Sequence, residues 1–346
     1  MVDMNTPKSA GKPRVVSKLD VARLAGVSHM TVTRVLQDHP QVKPETRHKV
    51  LEACDQLNYR CNLLASALRR GKSLAIGVVV PVLDVPIFGR LVNGIEERTA
   101  ELGYNIVVIQ EERAISEAEK RKKLEFLLQR QCDGLVIDAQ LPPNLTNLLL
   151  NQRVPTVIVE FPAGPFSRVA TDDEAGTREA MNYLIGLGHK KIAHLAGSPG
   201  TGHGDVRRQT YMDVLRENNI EVREELIVET NYKLESGHRV MRELLAKTRD
   251  FTAVFAAGDH VALGAMLAIH EYGMKIPDDI SIVGYSGDTL TEYSIPPLTT
   301  IYQPFEEMGK TAVDLLMSQF QSETDEPIIR LMPTRLIERQ SCAKIN

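Results

Sequence analysis

Leu19-Asp20-Val21-Ala22-Arg23-Leu24-Ala25-Gly26-Val27-Ser28, continued by His29-Met30-Thr31-Val32-Thr33-Arg34-Val35-Leu36, is the stretch that decides the N-terminal fold. Ser17, three residues before Asp20, has the spacing of a capping box and opens a first helix. Ala22 and Ala25 are small enough for two helices to cross closely, and Gly26 permits the left-handed turn that ends the first of them. Ser28 caps a second helix from His29 to Leu36. At helical spacing Val32, Val35 and Leu36 face inward, which leaves His29, Met30, Thr33 and Arg34 on the outer face. A short helix offering polar groups on one face has the dimensions of the major groove.

Working outward, Pro44 stands at the first position of a third helix that carries Val50, Leu51, Cys54 and Leu57 inward. An Ala/Leu-rich segment from Asn62 to Arg70 follows and is closed by Gly71. Charge sets this end of the chain apart. Residues 1–72 hold 13 Lys and Arg against 6 Asp and Glu, and the remainder holds 28 against 39. A basic headpiece on an acidic body is the footprint of one small domain that meets phosphate. A solvated basic tail would give the same charge, and a helix pair of this kind taken alone is more often structural than DNA-reading; the basic surroundings are what favour nucleic acid.

From Leu74 the texture changes. Buried-type strands at 75–80, 105–109, 134–137 and 156–159 alternate with helices near 88–102, 116–130 and 142–151. A second series follows, with strands at 192–195, 226–229, 253–256 and 281–284 and helices at 173–187, 205–218, 235–248 and 259–273. Strand–helix alternation of this length implies parallel sheets covered by helices, and the strand number implies two α/β lobes. The expected domains are a flexible tail (1–16), a helix-turn-helix domain (17–61), a hinge helix (62–72) and a ligand-binding and dimerisation body (73–346). Within the body, one lobe takes 73–170 with 303–325 and the other 171–300 with 328–340. Ligands of open α/β sheets sit at the carboxyl ends of the strands, so two facing lobes make a cleft.

The cysteines (54, 61, 132 and 342) form no C-x-x-C pair and have no histidine at zinc-ligand spacing, so free thiols and no metal are expected. Residues 1–16 lack the apolar run of a signal peptide, and Leu74–Leu83 is too short to span a bilayer. The expectation is a cytoplasmic protein without a membrane partner.

Asp20-Val21-Ala22, Ala25-Gly26-Val27-Ser28 and Thr31-Val32-Thr33-Arg34-Val35-Leu36 resemble the N-terminal signature of the lactose/galactose repressor (LacI/GalR) family. Pro44-Glu45-Thr46-Arg47, Leu57-Asn58-Tyr59 and Asn62-x-x-Ala65-x-x-Leu68 continue the resemblance. In the body it is carried by Leu187-Gly188-His189-Lys190-Lys191-Ile192-Ala193, Ala262-Leu263-Gly264-Ala265 and Ile295-Pro296-Pro297-Leu298-Thr299-Thr300-Ile301. It covers about residues 18 to 338. The resemblance implies a periplasmic-binding-protein-like body and a repressor that binds a near-palindromic operator as a homodimer and answers to a small molecule. No leucine heptad that would build a tetramer follows the last strand. The resemblance also implies that His29, Met30 and Arg34 contact base edges, while Ser28, Thr31 and Thr33 position the DNA backbone. Arg34 suits guanine, whose O6 and N7 match its fork. Residues 62–70, with Asn62 and Ala65, would form the hinge helix, and Leu68 the wedge that enters the minor groove. Two departures loosen this half. Cys61 replaces a common Pro ahead of the hinge helix, and Lys43 replaces the usual Ser at the third helix's N-cap.

For the effector the resemblance implies a cleft lined by Asp84 to Phe88, by Asp172-Asp173, by Arg207, and by the segments after strands 253–256 and 281–284, where Asp259 and Ser286 stand. A guanidinium at 207 can clamp a carboxylate, a phosphate or a vicinal hydroxyl pair. Gly258 and Ser286 stand where sugar-binding relatives have Asn and Asp, and His203 adds a donor beside Arg207. The expected ligand is therefore anionic, a sugar acid or sugar phosphate.

Other functions find little footing. Gly284-Tyr285-Ser286-Gly287-Asp288 lacks the last glycine of a nucleophile elbow, and no histidine follows it. Gly200-Thr201-Gly202-His203-Gly204 lacks the Gly-Lys-Ser/Thr ending of a P-loop. Asp172-Asp173-Glu174 at a helix start serves the helix dipole better than a metal. No enzyme and no cofactor is expected. An exported solute-binding protein would have no use for the headpiece, whereas a regulator partnered by another protein stays open.

Overall fold

The computed structural model describes residues 16–36, 39–59, 73–83, 85–111, 115–130, 132–321 and 326–345. The expected tail (apart from Val16) and the hinge helix with Asn62, Ala65 and Leu68 lie outside these residues, as do Cys61 and Asp84. Two compact units divide between Ser73 and Leu74.

The first unit holds α1 (Lys18–Ala25), α2 (His29–Leu36) and α3 (Pro44–Gln56). Ser17 and Asp20 complete the capping box, and Gly26 closes α1 at φ 65, donating its N–H to the Ala22 carbonyl. Ser28 Oγ accepts the Thr31 N–H at 3.0 Å and caps α2. Val21, Ala22, Val32, Val35, Val50, Ala53 and Cys54 make the core. Leu51, expected inside, is 47% exposed. It stands about 100° around the helix from Val50, and Ala53 takes the inward position instead.

The second unit carries two six-stranded sheets. The first is built from β1 (Ala75–Val80), β2 (Asn105–Gln110), β3 (Gly134–Ile137), β4 (Thr156–Val159), β5 (Ser167–Thr171) and β11 (Ile329–Met332), in the order β11-β5-β4-β3-β1-β2. The second uses β6 (Ile192–Ala196), β7 (Ile227–Glu229), β8 (Ala253–Ala256), β9 (Ser281–Ser286), β10 (Thr299–Tyr302) and β12 (Arg335–Ile337), in the order β12-β10-β9-β8-β6-β7. All pairings are parallel except β10 with β12. β3, β4 and β8 are buried throughout, as strands with helices on both faces must be. Helices α4 (Pro86–Glu101), α5 (Glu117–Gln129), α6 (Pro143–Asn151) and α11 (Phe305–Gln319) belong to the first lobe. Helices α7 (Asp173–Gly186), α8 (His203–Glu217), α9 (Leu234–Lys247) and α10 (Asp259–Glu271) belong to the second.

The chain crosses between lobes at Thr171–Asp173, Tyr302–Phe305 and Met332–Arg335. The third crossing corrects the expected lobe division, which gave all of 328–340 to the second lobe. β11 pairs with β5 in the first sheet, and only β12 joins the second. β11, exposed over most of its length, gave no sign of this, because an edge strand buries too little to write a pattern. The place of α11 in the first lobe is enforced by two glycines. A Cβ at Gly94 would stand 2.0 Å from the Glu306 carbonyl oxygen, and one at Gly309 2.4 Å from that of Leu91. α4 and α11 therefore cross with their backbones nearly touching.

Candidate functional sites

In α2, Met30 is 61% exposed, and His29 and Arg34 are exposed with it. Met30 and Arg34 lie about 40° apart on the helix and share the outward side. Ser28 is exposed and Thr31 half-buried, their hydroxyls 2.8 Å apart. Thr33 departs from expectation. It is 8% exposed, drawn inward beside Val32, and its hydroxyl has no partner among the described residues. The apolar arc of Val32, Val35 and Leu36 is wide enough to include it. The outward face is thus His29, Met30 and Arg34.

In the body, the second site forms where carboxyl ends of strands from the two lobes approach each other. Arg207 lies one turn into α8 and is 4% exposed. Its Nε donates to Asp173 Oδ1 at 2.9 Å, Nη2 lies 2.8 Å from the same oxygen, and Nη1 donates to the Ala257 carbonyl at 2.6 Å. The guanidinium also stacks 3.7 Å from the centre of the Tyr285 ring. Burial disfavours its charge, but Asp173 together with Tyr285, Tyr232 and Glu160 outweighs this, and its pKa is raised. Arg207 therefore already has a carboxylate partner within the protein.

Glu160, directly after β4, completes this cluster. Its backbone is left-handed at φ 61, its side chain is 6% exposed, and Oε1 accepts both the N–H and the hydroxyl of Thr171 at 3.1 Å. Burial, and then the neighbouring charge of Asp173, push its carboxyl up to about 7 against the pull of Arg207. Two buried carboxyl groups thus surround one guanidinium, Asp173 in direct contact and Glu160 within its field.

The other expected effector residues are distributed around this centre. Asp172 spends Oδ1 on capping α7 at the Ala175 N–H, which leaves Asp173 to face Arg207. Asp259, 1% exposed, accepts from Thr300 Oγ1 at 2.6 Å, Ser286 Oγ at 3.1 Å and the Asp288 N–H at 2.7 Å. Asp259 and Ser286 therefore satisfy each other inside the second lobe. His203, half-buried, meets the rings of Phe161 at 5.7 Å and Tyr232 at 5.4 Å. Phe88 is buried in the first turn of α4. The sequence reading missed Glu160, Phe161, Tyr232 and Tyr285. Glu160 and Phe161 follow a strand's carboxyl end, where ligands of α/β sheets gather, so their position was the available signal.

Among the described residues no group of three His, Cys, Asp or Glu could hold a metal, and no helix is long and apolar enough to cross a membrane.

Comparison with known proteins agrees with both halves. Residues 19–62 match the family described as bacterial regulatory proteins, lacI family, and residues 181–342 match a periplasmic binding protein-like domain. The transcriptional repressor PurR of Serratia proteamaculans is 33% identical over 329 residues, covering 94% of this chain and 96% of its own. Among solved structures, the lac repressor dimer bound to operator and the anti-inducer ONPF superposes with a TM-score of 0.85 at 34% identity, covering 95% of this chain and all of that one. The regulator CelR in complex with cellobiose follows at 0.73 and 31%, covering 94% and 99%. Helix-turn-helix headpiece, two-lobed body and full-length likeness coincide: the chain belongs to the LacI family of bacterial transcriptional regulators, ligand-controlled proteins that bind DNA sequence-specifically.

Proposed function

We propose that this regulator is a repressor whose body holds a neutral, hydroxyl-bearing, sugar-derived molecule between its lobes. The observation that carries the reading is the pairing of Arg207 with Asp173 beside Glu160. A sugar acid or sugar phosphate would bring negative charge to a guanidinium that Asp173 already neutralises, beside a second buried carboxyl group, Glu160. Three of the five Arg207 N–H groups are engaged, which leaves two to donate to a vicinal hydroxyl pair. The cellobiose held by CelR is a ligand of this kind.

On the DNA side, His29, Met30 and Arg34 read base edges, Ser28 and Thr31 position the backbone, and the hinge segment with Asn62, Ala65 and Leu68 enters the minor groove. The protein acts as a homodimer on a near-palindromic operator, like the lac repressor dimer it resembles. Exposed apolar side chains of the second lobe suit such an interface. Leu290, Tyr293 and Ile295 are 52%, 77% and 95% exposed, and Leu267 is 48% exposed. Leu267 lies two turns along α10 from His260, whose Nε2 is 3.4 Å from Asp288 at the head of the same loop.

The test is a titration of matched neutral sugars, sugar acids and sugar phosphates against wild type and Arg207→Lys, reading melting temperature and operator affinity. A neutral sugar should give the largest shift, and Arg207→Lys should weaken it. If an acid or phosphate binds best, the charge argument fails. If no small molecule moves either readout, a protein-partnered regulator is the better account.

A further inference from the structure

Arg90 stands on α4 in the first lobe, and its guanidinium reaches the second. Nη1 donates to the Gly287 carbonyl at 3.0 Å and Nη2 to the Gln303 carbonyl at 2.9 Å. The same group lies 4.9 Å from the centre of the Tyr302 ring.

Both acceptors occupy positions of consequence. Gly287 (φ 69) follows Ser286, a non-glycine residue at φ 127, in the segment that delivers the Ser286 hydroxyl and the Asp288 N–H to Asp259. A backbone in so sparsely populated a region persists only where its surroundings hold it. Gln303 lies in the crossing from β10 to α11, and its Nε2 donates to Thr171 Oγ1 at 2.9 Å in the crossing from β5 to α7. Gln303 thus ties two crossings together, and Arg90 ties that junction to a loop of the second lobe.

We propose that Arg90 is a positioning residue that latches the two lobes together through the Gly287 and Gln303 carbonyls, and so sets how readily the cleft opens to its ligand. The chemistry fits a releasable contact. A planar fork meets two carbonyls at once, which a lysine ammonium does not do with the same geometry. Carbonyls, unlike a buried carboxylate partner, give up a half-buried guanidinium to water at small cost. Arg207, buried on Asp173, is fixed; Arg90 is exchangeable. The significance of the latch rests on the body being a ligand sensor, but its existence is testable with no ligand present.

Hydrogen exchange on the full chain, for wild type, Arg90→Ala and Arg90→Lys, provides that test. Loss of two charge-assisted hydrogen bonds should speed exchange in 286–290 by roughly tenfold. Peptides 160–163 and 200–204 should accelerate in step, because Phe161 and His203 meet across the cleft. α9, remote from the contact, should be unchanged, and Arg90→Lys should fall between. Unchanged rates throughout would overturn the proposal. So would acceleration confined to 286–290, which would make Arg90 a local support. If Arg90→Ala does not fold, Arg90→Lys decides by the same criteria. A chain that opens on losing Arg90 yet binds no small molecule would sink the proposed function and leave the latch standing.

Discussion

Single residues of α2 carry the DNA-reading claim, and they separate by exposure. Arg34 faces outward with a fork suited to guanine, so Arg34→Ala should cost about 1–3 kcal/mol on the preferred operator and relax discrimination at one base pair. Equal weakening on all sequences, measured by titration at fixed salt, would instead assign it to phosphate. Thr33 makes the opposite case. Its hydroxyl is buried without a partner among the described residues, and such a group costs about 1–3 kcal/mol. Thr33→Val should therefore stabilise the protein's headpiece by about 1 kcal/mol in thermal unfolding, with operator affinity unchanged within about twofold. A large loss of affinity would show that the hydroxyl turns outward to meet DNA. Helical spacing put Thr33 on the outer face, but it lies next to the apolar arc, and in the folded helix it is drawn inward.

At the scale of elements, strong periodicity was legible and weak burial was not. The capping box at Ser17, the glycine stop at Gly26 and the runs at 75–80 and 253–256 appear as their residues require. The edge strand β11 had no such signal, since its place depends on a partner distant in sequence, β5, whereas the lobes of α11 and β12 were as expected. α3 exposes a defect that the sequence did announce: Lys43 occupies its N-cap and makes no side-chain capping bond. Lys43→Ser should restore that bond and raise headpiece stability by about 1 kcal/mol. Chemical denaturation that resolves the headpiece transition checks this, and no gain would mean that water already satisfies the free N–H groups of the first turn.

For the whole molecule, the two-lobed plan was readable from strand–helix alternation, but the electrostatics of the cleft were not. Asp173, Arg207 and Glu160 come from three separate elements, and only folding brings two carboxylates to one guanidinium. That arrangement, together with His194, makes stability depend on pH in two opposed ways. Glu160 has its pKa raised by burial and by Asp173 from an ordinary 4.5 to about 7. Its folded form holds a proton that the unfolded chain releases, so its contribution is full below pH 4.5 and lost as pH rises through 7. His194 is fully buried between Tyr211 and Phe255, each ring 4.9 Å away, and burial lowers its pKa from 6.5 to about 4. Its contribution is full above pH 6.5 and lost as pH falls through 4. Each effect is on the order of 3 kcal/mol, so in wild type the two oppose each other across the shared window. Glu160→Gln removes one of them. Relative to wild type, the variant should lose ground by a few kcal/mol as pH falls from about 7 to 5, because it lacks the stabilisation that wild type gains by protonating Glu160, while His194 contributes alike to both. Melting curves of both proteins at half-unit pH steps measure the difference directly. A constant gap between wild type and Glu160→Gln would mean that Glu160 stays ionised in the folded protein and that the cleft carries its full negative charge at neutral pH.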